Sequence, residues 1–161
     1  MLKLSRRDIA IVAEAAALVI PVEVGLRCLS LDALLERLGR AGHRALRDGA
    51  HVDVERAARL VDAVAAYYRP ATCLKKSLVL FRILRRRGRP AAFRLGVRKR
   101  QDDFNAHAWV ECEGRILLGG GIAHLFTTLP LNPQTQAARE TPAPTRTSLQ
   151  MRSSGPSLPQ P

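Results

Sequence analysis

The sequence predicts an α+β protein: a helical first part, then a central helix packed on a small antiparallel sheet. Three observations carry this. Apolar residues recur at helical spacing from Arg6 to Tyr68. A helix-start signal, Thr72 before Cys73, opens a run that Gly88 closes. Beyond Gly88 the chain alternates apolar and polar residues and meets a tight-turn pair, Glu113-Gly114.

Taken in order, Arg6 to Leu29 reads as helix with a break at Pro21. A second helix begins at the capping Ser30 and ends at Gly39; Gly42 and Gly49 mark a loop. Asp53 starts a third, with Ala57, Leu60, Val61 and Val64 on one face and Arg56, Arg59 and Asp62 on the other, ending before Pro70. In the fourth, Leu74, Ser77, Leu78, Phe81 and Leu84 share an inward stripe. Ala91 to Arg98 alternates like a half-buried strand, Lys99 to Asn105 reads as a polar connection, and Asn105 to Glu111 as a second strand. After Glu113-Gly114 comes a third, Arg115 to Leu118. From Pro130 onward stand seven of the ten prolines among Ser, Thr and Gln, so 130–161 is expected to be a disordered tail. The regions are therefore 1–69, helical; 70–129, the helix-and-sheet core; and 130–161.

A chain of 161 residues, 47% hydrophobic, has room for one substantial core. Ile9 to Leu26 is apolar, but Glu14, Pro21 and Glu23 interrupt it, so it is expected to be a buried or partner-facing helix, neither a bilayer span nor a signal peptide. A cytoplasmic location follows as the default. The three cysteines, Cys28, Cys73 and Cys112, lack paired spacing, which argues against a disulfide framework or a structural zinc site; Cys28 and Cys112 read as buried, inert thiols. His43, His51, His107 and His124 are scattered without metal-ligand spacing, so no metal and no cofactor are expected. The net charge is +12, densest from Arg82 to Arg100. That stretch is either a footprint for a polyanion or acidic peptide, or a solvated face; lacking stacking aromatics beyond Phe81 and Phe93, it makes nucleic acid a poor partner.

Cys73 would be the first helical residue after its cap, where unpaired amides and the positive end of the helix dipole favour a thiolate, with Lys75 and Lys76 acting in the same sense. His107 follows on a strand. A nucleophilic cysteine heading a helix and a histidine fixed on the adjoining sheet are what a thiol acyl-transfer enzyme requires. Lone cysteines and histidines are more often structural, and spacing alone leaves both readings open.

The blocks Cys73 to Gly88, Phe93 to Arg98, and Ala106-His107-Ala108-Trp109-Val110-Glu111, in this order, resemble the transglutaminase-like leader peptidase of lasso peptide biosynthesis, the protease half of the B protein. The resemblance covers roughly Pro70 to Leu118, after a family-like helical lead-in. It implies a transglutaminase-like or papain-like fold, with Cys73 as nucleophile and His107 as general base and acid. It implies removal of the leader from a ribosomally made precursor, before an ATP-dependent macrolactam cyclase closes the ring. No strand-rich segment precedes Asp53, so the small leader-recognition protein is expected in trans. An amide-forming acyltransferase would use the same thioester; a non-catalytic peptide-binding protein would keep only the fold.

One departure from the family bears on the chemistry. The acid that usually orients the imidazole would fall near Gly119 or Gly120, which have no side chain. Glu111 lies roughly 13 Å along the strand from His107, and Asn105 would have to fold back. Trp109 shares the His107 face, as groove wall or packing; Ser77 is either a site hydrogen bonder or a small packing residue; His124 has no partner signal. Gly119-Gly120-Gly121 reads as a flexible turn, since no phosphate-loop pattern follows it.

Overall fold

The computed structural model describes residues 4–40, 52–68, 72–100 and 103–131. Four helices precede the sheet: α1 (Arg6–Cys28), α2 (Leu31–Arg40), α3 (Val54–Tyr67) and α4 (Cys73–Arg86). Then come β1 (Ala91–Arg100), β2 (Asp103–Cys112), β3 (Arg115–Leu117), the short α5 (Gly120–Ala123) and β4 (Thr127–Thr128), in an antiparallel sheet ordered β3-β2-β1-β4. The expected α+β architecture is what forms. The loop read at Gly42 and Gly49, His43, His51, Pro70 and the tail from residue 132 lie outside the described residues.

Local chemistry sets the helix starts. At the head of α1 the Asp8 N–H donates to Ser5 Oγ at 3.1 Å while the Ser5 N–H donates back to Asp8 Oδ2 at 2.9 Å, a reciprocal capping box. Ser30 Oγ accepts from the Ala33 N–H, and Asp53 from those of Glu55 and Arg56. Asp8 also bonds across the fold, where Arg56 of α3 donates Nε and Nη2 to its two oxygens at 3.3 and 3.1 Å, pinning α1 to α3. The Arg56 guanidinium, then the Ser5 amide, hold the Asp8 carboxyl down at about 2. A depressed carboxyl supports the fold above its unfolded value near 3.8 and loses that support as pH falls toward 2. Asp8→Asn is therefore expected to lower the melting temperature at neutral pH by several degrees and to flatten the acid side of a stability-against-pH profile between about pH 4 and pH 2; an unchanged acid limb would show that another carboxylate carries it.

Two expectations about α1 are corrected. The helix does not break at Pro21 but runs on to Cys28. Proline costs one backbone hydrogen bond and a clash with the preceding turn, but Ala15, Val22 and Gly25 are buried on either side of it while Pro21 faces solvent, so tertiary packing carries the helix through. By length and apolar composition α1 also meets the requirement for crossing a membrane, acids notwithstanding. One face of it joins the fold: Ile11, Ala15 and Val22 enter the interior, Glu14 accepts from Arg86 at 3.2 Å and Arg87 at 2.7 Å, and Glu23 pairs with Lys75, while Ile9, Ile20 and Val24 stay exposed.

α4 is central. Leu78, Leu80, Phe81, Ile83 and Leu84 are fully buried, so more than the expected stripe is covered; α1, α2 and α3 pack on one side and β1 and β2 on the other. Phe81 meets Phe93 of β1 edge to face, and Gly88, with φ +71, ends the helix. The arginines that follow are largely engaged within the fold. Arg82 reaches the Leu38 carbonyl, Arg86 and Arg87 share Glu14, Arg89 holds Glu113 at 2.7 Å, and Arg94 holds Glu111 at 2.8 Å.

The sheet corrects a third expectation. Lys99, Arg100 and residues 103–105 are strand rather than polar connection: β1 and β2 pair in register from Ala91↔Cys112 to Arg100↔Asp103, while Gln101 and Asp102 lie outside the described residues. Backbone ladder bonds are indifferent to side-chain polarity, so a hairpin can extend into charged sequence. β2 turns into β3 through Glu113 (φ +52) and Gly114 (φ +73), the doubly left-handed geometry of a tight hairpin turn. Alternation then divides the sheet into two faces. Ala91 and Phe93 of β1 and Ala108, Val110 and Cys112 of β2 join the core beneath α4. Arg94, Gly96 and Arg98, with His107, Trp109 and Glu111, occupy the other face.

Candidate active site

The cysteine stands where the sequence places it. Thr72 caps α4, its Oγ1 accepting the Lys75 N–H at 3.4 Å, and Cys73 is the first helical residue, half-buried against the core. The amides opening the helix therefore lie beside the thiol. Lys75 and Lys76 contribute less than their sequence position suggests, because Lys75 pairs with Glu23 and Lys76 Nζ lies 2.7 Å from Asp62. Of the other thiols, Cys112 is buried, and burial pushes its pKa up, as suits an inert side chain. Cys28 is exposed rather than buried: it ends α1 on the helix's outer side.

His107 lies in an aromatic clamp. Its ring stacks on Trp109 with centroids 6.0 Å apart and 18° between planes, and Phe126 closes on it at 5.3 Å. Gly96, opposite His107 in the β1–β2 register, makes room: a Cβ there would come within 3.0 Å of the Trp109 ring and 2.8 Å of Phe126 Cβ. Trp109 is itself fixed, donating Nε1–H to Glu111 Oε1 at 3.1 Å, while Arg94 holds the other oxygen of that carboxylate. Glu111 thus steadies the ring on which the imidazole stacks. Asn105 is engaged elsewhere, donating to Asp103 at 2.7 Å. His124 caps the far end of α5, exposed, and the glycine stretch is no flexible turn: Gly119 is the N-cap of α5, which contains Gly120 and Gly121.

Gly119 is the residue that meets the imidazole. Its φ is +85, and a Cβ built on it would stand 2.1 Å from His107 Nε2 and 2.6 Å from Cε1. Backbone, rather than a side-chain carboxylate, occupies the place beside Nε2. That nitrogen is buried without a hydrogen-bond partner among the described residues.

One hydrogen bond ties the cysteine helix to the histidine strand. Ser77, one turn after Cys73 and fully buried, donates Oγ–H to the carbonyl of Ala108, the residue after His107, at 3.0 Å. β3 pairs only with Val110 to Cys112, so this stretch of the β2 edge is open to α4. The bond brings the head of α4 to the open edge of β2 near His107. Cys73 belongs to the core side of the sheet and the imidazole to the other, and no hydrogen bond joins them among the described residues; a reaction between them runs around that edge. Ser77→Ala leaves the buried Ala108 carbonyl without its donor and is expected to destabilise the fold by about 1–3 kcal/mol. Ser77→Thr, keeping the hydroxyl, separates loss of the bond from crowding. Denaturant unfolding checks the first effect; an alanine variant as stable as wild type would mean that the bond does not hold the helix to the strand.

Phe126, Gly96 and Ser77 carry more of this site than their sequence context advertises. Ser77 stands on the predicted inward stripe as a polar residue, which is a usable signal; Phe126 needs the β1–β4 pairing, for which the two-residue β4 gives almost no pattern.

A capped cysteine heads the central helix, and the next turn of that helix is bonded to the strand that carries the histidine, an arrangement compatible with thiol acyl transfer. The family model of the transglutaminase-like superfamily matches residues 16–130, and the chain belongs to that superfamily, whose fold accommodates cysteine peptidases and acyltransferases. No curated protein and no solved structure matches the chain significantly.

Proposed function

We propose that the chain is a cysteine peptidase that removes the leader from a ribosomally made precursor peptide in lasso peptide maturation, in the cytoplasm, with a small leader-recognition protein supplied in trans and an ATP-dependent cyclase acting next. The observation that supports it best is the Ser77–Ala108 hydrogen bond, which sets the Cys73 end of α4 against the His107 strand. Cys73 Sγ attacks the scissile carbonyl, and the amides at the start of α4 face the oxyanion that develops. Because Gly119 closes off Nε2, Nδ1 is the nitrogen left to take the thiol proton and return it to the leaving amine. Water then opens the thioester, with no cofactor. An amine in place of water would make the same intermediate an acyltransferase's.

A second reading, a non-catalytic peptide-binding protein, is favoured by the same Nε2, buried with backbone where an orienting acid would stand. Mass spectrometry separates the two readings. The chain, its recognition partner and a leader-containing precursor are incubated together. Free leader and free core are the expected products; an intact precursor that still binds the chain would replace the peptidase with the binding protein.

A further inference from the structure

The second face of the sheet carries two arginines in different states. Arg94 gives its Nε–H to Glu111 at 2.8 Å. Arg98, farther along β1 and on the same face, has a buried Nε with no acceptor among the described residues. Its guanidinium carbon lies 5.2 Å from the centroid of the Phe126 ring, and that ring lies 5.3 Å from the imidazole of His107. One aromatic ring separates a cation from the proposed catalytic histidine.

Neither neighbouring carboxylate forms an ion pair with Arg98 among the described residues. Glu111 is held by Trp109 and Arg94, and Asp103 accepts from Asn105, which is Arg98's uncharged partner in the register. A cation over the Phe126 ring still has donors to give to a ligand. Arg98 as a whole is half-exposed, so an anion that arrives with a ligand can meet the guanidinium at its exposed part. One guanidinium against an aromatic ring, with the Arg94 charge already paired, suits a carboxylate monoanion better than a phosphate chain.

We propose that Arg98 anchors an acidic side chain of the bound peptide, in a subsite set off from His107 by the Phe126 ring. The proposal rests on the peptide-processing reading and adds to it a preference for Asp or Glu at one position near the bond that Cys73 attacks.

The test is affinity selection of a randomised peptide library on the immobilised full chain carrying Cys73→Ala, compared with the same chain carrying Arg98→Gln or Arg98→Lys in addition. The expected result is enrichment of Asp and Glu over Asn and Gln at one position by about 10- to 100-fold on the Cys73→Ala protein. Enrichment should fall to near unity with Arg98→Gln and to an intermediate value with Arg98→Lys, which keeps the charge but loses the fork. Retention of acid-free peptides reports an intact fold; if the glutamine variant fails that control, the lysine variant decides. Acid enrichment that is absent from the parent, or equal in parent and variants, would overturn the anchor. Cleavage of the same library, fused to the leader and with the recognition partner present, by the chain with Cys73 intact is scored separately: acid-dependent binding without cleavage would sink the peptidase and leave the anchor standing.

Discussion

Alanine at Cys73 is expected to abolish leader release, and alanine at His107 to lower it by a comparable factor, on the order of 10⁴ to 10⁶ in kcat, since a nucleophile and its base act as one unit and removing either forfeits most of their joint contribution. The two substitutions differ in what they do to the fold. Cys73 is half-buried at a helix start, and Thr72 still caps the helix without the sulfur, so Cys73→Ala should melt close to wild type. His107→Ala empties the space between Trp109 and Phe126 and loses two aromatic contacts, worth about 0.5–1.5 kcal/mol each. His107→Gln fills more of that space and is the better catalytic control. Thermal melts beside single-turnover cleavage separate the effects. A His107→Gln protein that folds and still releases leader at close to the wild-type rate would mean that another group serves the thiol, and would remove His107 from the mechanism.

How far the sequence discloses this molecule depends on whether a feature is local. Thr72 before Cys73, Asp53 before Val54 and Glu113-Gly114 each act on backbone within a few residues, and each appears in the structure where the chain predicts it. What the sequence hides is settled between distant segments. Pro21 should end a helix on local grounds, yet core contacts on both sides of it carry α1 through. Lys99 to Asn105 has the composition of a loop, yet the ladder takes in Lys99, Arg100 and residues 103–105, because strand pairing is made between backbones. Part of the basic stretch from Arg82 to Arg100 is paired within the fold for the same reason: Glu14, Glu111 and Glu113 lie far from Arg86, Arg87, Arg89 and Arg94 in the chain or on another strand, and only the fold shows these charges as pairs. At the site, the types Cys73 and His107 are readable, and so is the absence of a carboxylate near Gly119. That Gly119 itself fills the space beside Nε2 is not, since it depends on a left-handed backbone that the glycine permits but does not announce.

That contact gives the chain a behaviour opposite to the one its sequence suggests. A missing acid at Gly119 invites repair by Gly119→Asp, which would be expected to restore an orienting carboxylate and raise the rate if the glycine left a gap. It leaves none: the first carbon of any side chain would stand 2.1 Å from His107 Nε2, far inside contact distance. The imidazole cannot swing aside cheaply, because Trp109 stacks on it and Phe126 closes on it, and Trp109 is itself tied to Glu111. The backbone cannot yield cheaply either, since φ +85 is costly for a residue with a Cβ, by about 1–2 kcal/mol. Gly119→Asp and Gly119→Ala should therefore both lower kcat, by about 100-fold for a ring displacement near 1 Å, with alanine as damaging as aspartate because the steric demand, not the charge, sets the loss. The measurement is kcat and KM for leader release by both variants, with melting curves to correct for lost stability. Equal losses in the two variants would establish that the main chain at Gly119 holds the imidazole in place. A rate gained by Gly119→Asp and lost by Gly119→Ala would show instead that the loop moves aside for a carboxylate, and that the imidazole lacks only an acid to complete a triad.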